Sequence, residues 1–384
     1  MQYSYSAPTR SLYIHWPFCP YRCTFCPFVA LASHDSFMGR YHEALKLELI
    51  DFAQKSGQRL PLDTIYFGGG TPSTYPDDLL LDTSVILKTI FDIQPGCEIT
   101  LEVNPGTVRV EQVAFWKSIG INRLSIGVQS LKDSVLKDLN RHQSQEDVTF
   151  LLSHAQDVFD NLSVDLILGL PGVSDEEWKD MLRQVVTWPI KHVSLYFLQV
   201  HENTQLYFRV QQNKVVLPCD DAVVDLYYWS VALLAEHGLN QYEVSNFARE
   251  GYESRHNRIY WDRKPYKGFG LGACSFDGSM RFQNEKNLMR YMHGMETGQD
   301  MTVFHEGLTR KQIYLEKIML GIRRSQGVML DEVMEMLLTQ EQQTLLKQIT
   351  ELESEGFIKQ RDGCIVLTPV GLSVENNIAL RLSL

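Results

Sequence analysis

Short apolar runs alternate along the chain with longer amphipathic segments. Runs rich in β-branched and aromatic residues predict six strands, at residues 11–16, 63–69, 98–104, 123–130, 161–169 and 192–200. Amphipathic segments between and after them predict helices, for example at 39–56, 109–119, 174–187 and 220–238. Repeated strand-then-helix units favour a parallel sheet with helices outside it. We interpret near-continuous apolar runs such as 164–170 as strands buried on both faces.

The pattern changes after about residue 240. Residues 241–261 are dense in aromatic and polar side chains and predict irregular structure. Helices are predicted from about 306 and near 339–355, followed by a hairpin that turns at Arg361-Asp362-Gly363, since Asp-Gly is a strong turn signal. The chain is therefore predicted to have three parts: a sheet domain over 1–210, an aromatic-rich extension over 211–305, and a helical, winged-helix-like domain over 306–384.

Composition narrows the class of protein. The chain has 384 residues, 44% hydrophobic and 22% charged, with a net charge of −11, which is ordinary for a globular protein. No long Lys/Arg run appears, so we expect no nucleic-acid partner. We find neither an apolar run of signal-peptide length nor one long enough to cross a membrane. We therefore expect a cytoplasmic protein without a transmembrane segment, with peripheral membrane contact left open.

Three of the seven cysteines stand close together. Cys19, Cys23 and Cys26 have the spacing C-x3-C-x2-C. A short loop with three thiolates can bind three irons of a cubic iron–sulfur cluster and leave the fourth iron open. A zinc ion with a distant fourth ligand is the alternative, because zinc also prefers thiolates. The odd cysteine count argues against a secreted disulfide framework and favours a reducing compartment.

Further polar signals fall in the strands or just after them. They are the Gly68-Gly69-Gly70-Thr71-Pro72 turn, Glu102, Gln129, Arg141 and Asp165. Each alone has an ordinary interpretation: the glycines as a tight turn, and Asp165 in an ion pair with Arg141. Because loops after parallel strands meet at one rim, their recurrence there predicts one shared site.

The segment Tyr13-Ile-His15-Trp-Pro17-Phe18-Cys19, with its two further cysteines, resembles the opening of the radical S-adenosylmethionine (SAM) superfamily, in its coproporphyrinogen III oxidase-like branch. The resemblance implies an α/β fold, a partial (β/α)6 TIM-like radical SAM barrel with a small C-terminal winged-helix-like domain. It also implies a [4Fe-4S] cluster on the three cysteines, bound SAM, and an electron donor for the cluster. The matching SAM-contact positions are Tyr13, Phe25, Gly69, Gly70, Thr71, Glu102, Gln129, Arg141 and Asp165.

Two features separate the members of this branch. Oxygen-independent coproporphyrinogen III oxidases carry a fourth cysteine at the position of Phe28. Residues 255–261 instead resemble the HNxxYW motif of the HemW heme-chaperone family, which implies heme binding, transfer of heme to an acceptor hemoprotein, and His256 as the heme contact. A hydrogen-bonded structural role for His256 stays open. Coproporphyrinogen III oxidase activity and radical SAM methyltransferase activity also stay open as alternative functions.

One residue departs from the family pattern. The segment after HNxxYW reads Gly270-Leu-Gly272-Ala273-Cys274-Ser275, with Cys274 where the family has histidine. Cys274 is predicted to be a small buried side chain, with a thiolate ligand as the alternative.

Overall fold

The protein is described here by a computed structural model, which covers residues 9–383. The strands are β1 Ser11–Trp16, β2 Phe18–Cys19, β3 Leu31–Ala32, β4 Pro61–Gly69, β5 Asp92–Val103, β6 Arg123–Gln129, β7 Asn161–Leu168, β8 His192–Phe197, β9 Asn240–Glu243, β10 Asn246–Ala248, β11 Lys267–Phe269, β12 Cys274–Phe276, β13 Met280–Asn284, β14 Thr302–Gly307, β15 Val328–Met329, β16 Ile358–Arg361 and β17 Cys364–Leu367. The helices are α1 Met38–Ser56, α2 Asp77–Ile90, α3 Val110–Ile119, α4 Asp133–Asp138, α5 Gln145–Ala155, α6 Asp175–Val185, α7 Gln205–Gln211, α8 Asp220–Glu236, α9 Arg255–Trp261, α10 Leu288–Glu296, α11 Arg310–Gly321, α12 Leu330–Met334, α13 Thr339–Ser354, α14 Pro369–Leu372 and α15 Glu375–Arg381.

The six predicted strands form the centre of one curved sheet. Its strand order is β11-β1-β4-β5-β6-β7-β8-β10-β9. Strands β1 and β4–β8 run parallel, β11 joins them in parallel, and β10 and β9 are antiparallel at the other edge. Within the described residues the two edges do not pair with each other, so the curl stays open. The predicted partial barrel is confirmed.

The strands alternate between apolar and polar residues, which corrects the expectation that both faces are apolar. In β6, Leu124, Ile126 and Val128 are fully buried and belong to the main hydrophobic core. The intervening positions, Arg123 and Ser125 among them, are polar. The same period-two pattern recurs in the other five central strands, so the outer face packs on helices while the inside of the curl is lined by polar groups.

Residues 241–261 are more regular than predicted. Asn246–Ala248 forms β10, which pairs antiparallel with β8. The backbone N–H groups of Arg255 and His256 donate to the Glu98 carboxylate, so a strand side chain caps α9. A local signal was present as well, because the hydroxyl of the N-cap residue Ser254 accepts from Asn257 N–H at 3.3 Å. The contacts from Glu98 and β4 hold α9 against the polar inner face.

The last part of the chain has a hydrophobic core of its own. Fourteen buried residues between Tyr314 and Leu382 form this cluster, on which α11, α13, α15 and the sheet β15-β17-β16 converge. The predicted hairpin turn is confirmed: β16 and β17 pair, and Asp362 and Gly363 have φ of 52° and 76°. The domain boundaries themselves remain predictions. Between residues 9 and 383, no helix is long and apolar enough to cross a membrane.

Candidate functional site

The three clustered cysteines lie on a loop that follows β1 at the carboxyl edge of the sheet. Backbone bonds anchor its middle, since Thr24 N–H donates to Leu139 O at 2.9 Å and Leu206 N–H donates to Thr24 O at 2.9 Å. The Asn140 side-chain amide donates to Arg22 O at 2.9 Å. The loop is thus held by the segment after β6 and by α7, which preorganises its thiols.

Polar groups from two other loops reach these thiols. The Thr71 hydroxyl donates to Cys19 Sγ at 3.3 Å, and Arg141 Nη1 lies 3.8 Å from Cys23 Sγ. Burial raises the pKa of Cys19 to about 11, and the bond from Thr71 partly offsets it. Burial also raises the pKa of Cys26. Because thiolates ligate metals, the donor and the cation favour the charged, ligating form.

The spacing of the thiols suits a cluster better than a single ion. Four sulfurs around one zinc at about 2.3 Å lie roughly 3.8 Å apart. Within residues 9–383, one group of three His, Cys, Asp or Glu side chains has all its ligand atoms within 4.8 Å of one another. That group is His42, Glu43 and Asp82, and it does not include the cysteines. At least two of the three cysteine sulfurs are therefore farther than 4.8 Å apart, as expected when each binds a different iron.

The glycine turn fits against the chain segment that leads into the cysteine loop. A Cβ on Gly70 would lie 2.6 Å from Pro17 O, and one on Gly69 would lie 2.7 Å from the His15 ring. Gly69 also has a φ of 121°, which favours glycine. Close packing of the chain on itself therefore already requires these glycines, and it places Thr71 beside Cys19.

Glu102 lies at the carboxyl end of β5 beside this turn. Its carboxylate accepts hydrogen bonds from Tyr66 OH at 2.9 Å and from Gly69 N–H at 3.2 Å. Burial raises the pKa of Glu102 to about 7, and the negative charge of Asp165 adds to the rise. Glu102 can therefore exchange a proton near neutral pH.

Two aromatic residues of the predicted site lie on either side of the loop. The Tyr13 hydroxyl is 3.1 Å from His15 Nδ1, and His15 Nε2 is 3.0 Å from Val29 O. Burial lowers the pKa of His15 to about 4, so the ring is neutral at pH 7. Phe25 packs on a small apolar cluster that includes Leu139 and Ile167. The contacts of Tyr13 and His15 hold the chain before the cysteine loop, and the packing of Phe25 holds its far end.

Gln129 and Arg141 are neighbours at the end of β6. Gln129 has a φ of 64°, and the β6–β7 register shifts between Gly127 and Gln129. A Cβ on Gly127 would lie 2.7 Å from Arg141 Nη2 and 3.0 Å from Gln129 Nε2, so this glycine makes room for both side chains. Such bulges re-aim side chains beside functional sites.

Asp165 does not form the ion pair with Arg141 that the sequence suggested. Its carboxylate accepts from the Ser125 hydroxyl at 3.2 and 3.3 Å, while Arg141 Nη2 donates to Gly127 O. Burial raises the pKa of Asp165. The expectation was wrong because Arg141 turns toward the cysteine loop and a main-chain carbonyl instead of the strand interior.

His256 lies apart from this rim. It is 1% exposed, with Nδ1 2.8 Å from Thr64 Oγ1 and Nε2 2.8 Å from Tyr260 OH. Its ring stacks on Tyr66 at 5.1 Å, and burial lowers its pKa to about 3. Both ring nitrogens are occupied, so this conformation offers no lone pair to a heme iron. The geometry supports the structural alternative, and direct heme contact stays a prediction.

Cys274 is exposed, contrary to the expectation of a buried side chain. It lies at the start of β12, where its sulfur receives a 3.3 Å hydrogen bond from Gln283 Nε2. Tyr266 bridges to Phe276 of the same strand, and its ring meets that of Tyr260 at 4.7 Å, so both rings lie close to β12. The exposure is local to this position, since the next two residues of β12, Ser275 and Phe276, are buried.

Sequence reasoning missed most of the polar inner face. These residues share the inward positions of the central strands: Tyr66, Thr100, Arg123, Ser163, His192 and Ser194. The signal was present, since strands such as 98–103 and 123–128 alternate strictly between polar and apolar residues. That pattern belongs to a barrel with a polar interior.

Comparisons with known proteins show the superfamily and the fold. The chain matches the Radical SAM superfamily over residues 13–185 and the HemN C-terminal domain over residues 308–374. Its fold is similar to that of coproporphyrinogen III oxidase (HemN) from Escherichia coli, with a TM-score of 0.84 at 23% identity, over 98% of this chain and 91% of that chain. The open barrel and its cysteine loop define a radical SAM protein, and the superfamily implies a [4Fe-4S] cluster and SAM.

More similar sequences narrow the placement. Heme chaperone HemW of Bacillus subtilis is 32% identical over 96% of this chain and 98% of its own length. HemW of Synechocystis sp. is 34% identical over 85% of this chain and 80% of its own length. Mouse radical S-adenosyl methionine domain-containing protein 1, mitochondrial, is 37% identical over 70% of this chain and 61% of its own length. The chain belongs to the HemW family.

Proposed function

We propose that this protein is a heme chaperone: it holds a [4Fe-4S] cluster on Cys19, Cys23 and Cys26, binds SAM beside it, and passes bound heme to an acceptor hemoprotein. The observation that carries the proposal is the match to HemW along almost the whole chain. Phe28 agrees with it, because the oxidases of this branch have a cysteine there. The acceptor that receives the heme is therefore a hemoprotein in its heme-free form.

The rim residues have distinct roles in this proposal. Arg141 lies close to the thiols and suits the carboxylate of SAM, while Glu102, Gln129 and Asp165 offer the polar groups that its amino group and ribose need. Gly69, Gly70 and Thr71 keep the cysteine loop in place. A bound cluster supplies one low-potential electron, received from a protein donor, and whether SAM is turned over is a separate question.

The proposed heme face lies around Cys274. Its exposed sulfur is a Lewis base, and Tyr266, which bridges to Phe276 of the same strand, brings an aromatic ring close to β12 for contact with a porphyrin. His256 contributes through Tyr260: it holds the hydroxyl at 2.8 Å, and the Tyr260 ring meets Tyr266 edge to face at 4.7 Å. We therefore propose a positioning role for His256 in place of the predicted direct heme contact, and the role of iron ligand for Cys274.

Heme titration of the anaerobically reconstituted protein tests the proposal. We expect saturable binding, and transfer of the heme to a heme-free acceptor protein. Cys274→Ser should weaken binding and remove the red-shifted carbonyl Soret band that thiolate ligation gives. His256→Ala should weaken binding without changing that band, and Cys97→Ser is the matched control, since this buried thiol lies outside the site.

Two results would contradict the assignment. An unchanged carbonyl spectrum in Cys274→Ser removes the sulfur from the heme site, although the chaperone role survives if heme still binds. Efficient anaerobic conversion of coproporphyrinogen to protoporphyrinogen, with no heme binding, replaces the chaperone with an oxidase.

A further inference from the structure

A cavity lies between the edge strand β9 and the C-terminal part of the chain, in a region that the proposed function does not use. Its volume is about 270 Å³, and residues of β9, of α9 and of the segment 324–326 line it. Backbone bonds join the two parts beside it, since Val244 N–H donates to Arg323 O at 2.9 Å and Ser325 N–H donates to Tyr242 O at 3.0 Å. A protein cavity of about 150 Å³ can bind benzene, so this one has room for a small metabolite.

Helix α9 presents different residues to the barrel and to this cavity. His256 and Tyr260 bond each other, and His256 also bonds Thr64 of β4. Arg258 and Trp261, three residues apart and therefore neighbours on the helix surface, line the cavity. The Trp261 ring is half-buried, and among residues 9–383 no aromatic ring or side-chain cation packs on it. It therefore offers open surface for an apolar group of a ligand.

Charged groups of both signs line the cavity without neutralising each other. Glu250 and Glu253 lie in the loop before α9, and no side-chain nitrogen of a basic residue between 9 and 383 comes within 4 Å of their carboxylate oxygens. The Arg258 guanidinium likewise has no carboxylate partner in that part of the chain. Asp262, by contrast, pairs with Arg324 Nη1 at 2.5 Å, while Arg324 Nε is buried without a hydrogen bond among the described residues. Two carboxylates and one guanidinium are therefore available to a ligand.

We propose that this cavity binds a free α-amino acid with an aromatic or other apolar side chain. The ligand carboxylate pairs with the Arg258 guanidinium, whose fork of N–H groups it matches, and the ligand ammonium group pairs with Glu250 or Glu253. The ligand side chain packs on the Trp261 ring. The remaining charged residue of the lining, Glu243, already accepts from Ser245 N–H at 2.8 Å. None of these residues belongs to the cluster or heme sites, so the inference does not rest on the proposed function.

Calorimetric titration of the cluster-loaded protein with three related ligands tests this site. We expect phenylalanine to bind saturably. Phenethylamine, which lacks the carboxylate, and N-acetylphenylalanine, which lacks the ammonium group, should each bind about fivefold more weakly, as expected for the loss of one solvent-exposed ion pair. Arg258→Gln should bind phenylalanine and phenethylamine equally, and the double variant Glu250→Gln, Glu253→Gln should bind phenylalanine and N-acetylphenylalanine equally. Arg183→Gln, which changes an exposed arginine on α6, is the matched control and should keep both preferences.

Two results would overturn the proposal. One is the absence of saturable phenylalanine binding to the native protein, or equal affinity of the native protein for all three ligands. This comparison needs no variant, so it decides the question even where a variant fails to fold. The other is that both preferences persist unchanged in Arg258→Gln and in the double variant, because the named side chains would then not recognise the ligand charges.

Discussion

Gly70 provides a sharp test of how the barrel positions the cluster loop. In Gly70→Ala the new Cβ would lie 2.6 Å from Pro17 O and 2.7 Å from Phe18 O, whereas ordinary contacts begin at 3.4 Å. Both obstacles are backbone atoms, so the two segments must separate by about 0.8 Å. Such overpacking costs about 1–3 kcal/mol. The shift also weakens the bonds from Gly70 N–H to Trp16 O and from Thr71 N–H to Phe18 O, each worth about 1 kcal/mol.

We therefore expect Gly70→Ala to lower the free energy of unfolding by roughly 2–4 kcal/mol. It should also lower the iron bound per chain after reconstitution, since Cys19 directly follows the displaced Phe18. Denaturant unfolding and iron analysis measure the two effects. Gly39→Ala is the matched control, because a Cβ there meets nothing within 4 Å on α1 and alanine favours helix. Unchanged stability and full iron loading in Gly70→Ala would refute the reasoning.

Three further predictions concern Glu102, Cys23 and Gly371. Burial raises the Glu102 pKa to about 7 from its unfolded value near 4.5, so this group lowers the stability of the native protein as pH rises from about 4.5 to 7. In denaturant melts, the stability of Glu102→Gln relative to the native protein should therefore be higher at pH 8 than at pH 4.5. An equal stability difference at both pH values would contradict the shift. Cys23→Ala should lose most bound iron and sulfide while Cys97→Ala keeps them, and equal loss in both would argue against the assigned ligands. In Gly371→Ala the Cβ would collide with the Phe357 carbonyl oxygen, so the C-terminal core should lose about 1–3 kcal/mol with no loss of iron. Parallel loss of stability and iron would show that the two cores are coupled.

Local signals were sufficient for much of this protein. Strand and helix periodicity predicted the six central strands, five of them within three residues at each end, whereas β5 begins at Asp92, six residues before its predicted start. Asp362-Gly363 marked the last hairpin. The cysteine spacing and the strand-end motifs predicted the rim, since parallel strands bring their following loops to one edge. Thr71 beside Cys19 and Arg141 beside Cys23 are the contacts that this rule implies.

Other features depended on which residues the fold brings together. Whether His256 points outward or inward is decided by Thr64 and Tyr260, and the Glu98 cap of α9 comes from a strand more than 150 residues earlier. The exposure of Cys274, next to the buried Ser275 and Phe276, likewise depends on which segments the fold packs on β12.

The sequence by itself determined the helices and strands, their order and the chemistry of the cysteine loop, because each depends on the spacing of residue types over a few neighbouring positions. Only the tertiary structure decided which polar groups have partners. Arg123 Nε is buried without a hydrogen bond among residues 9–383, whereas Glu98 binds two N–H groups of α9, and such contacts between distant segments leave no local mark on the sequence.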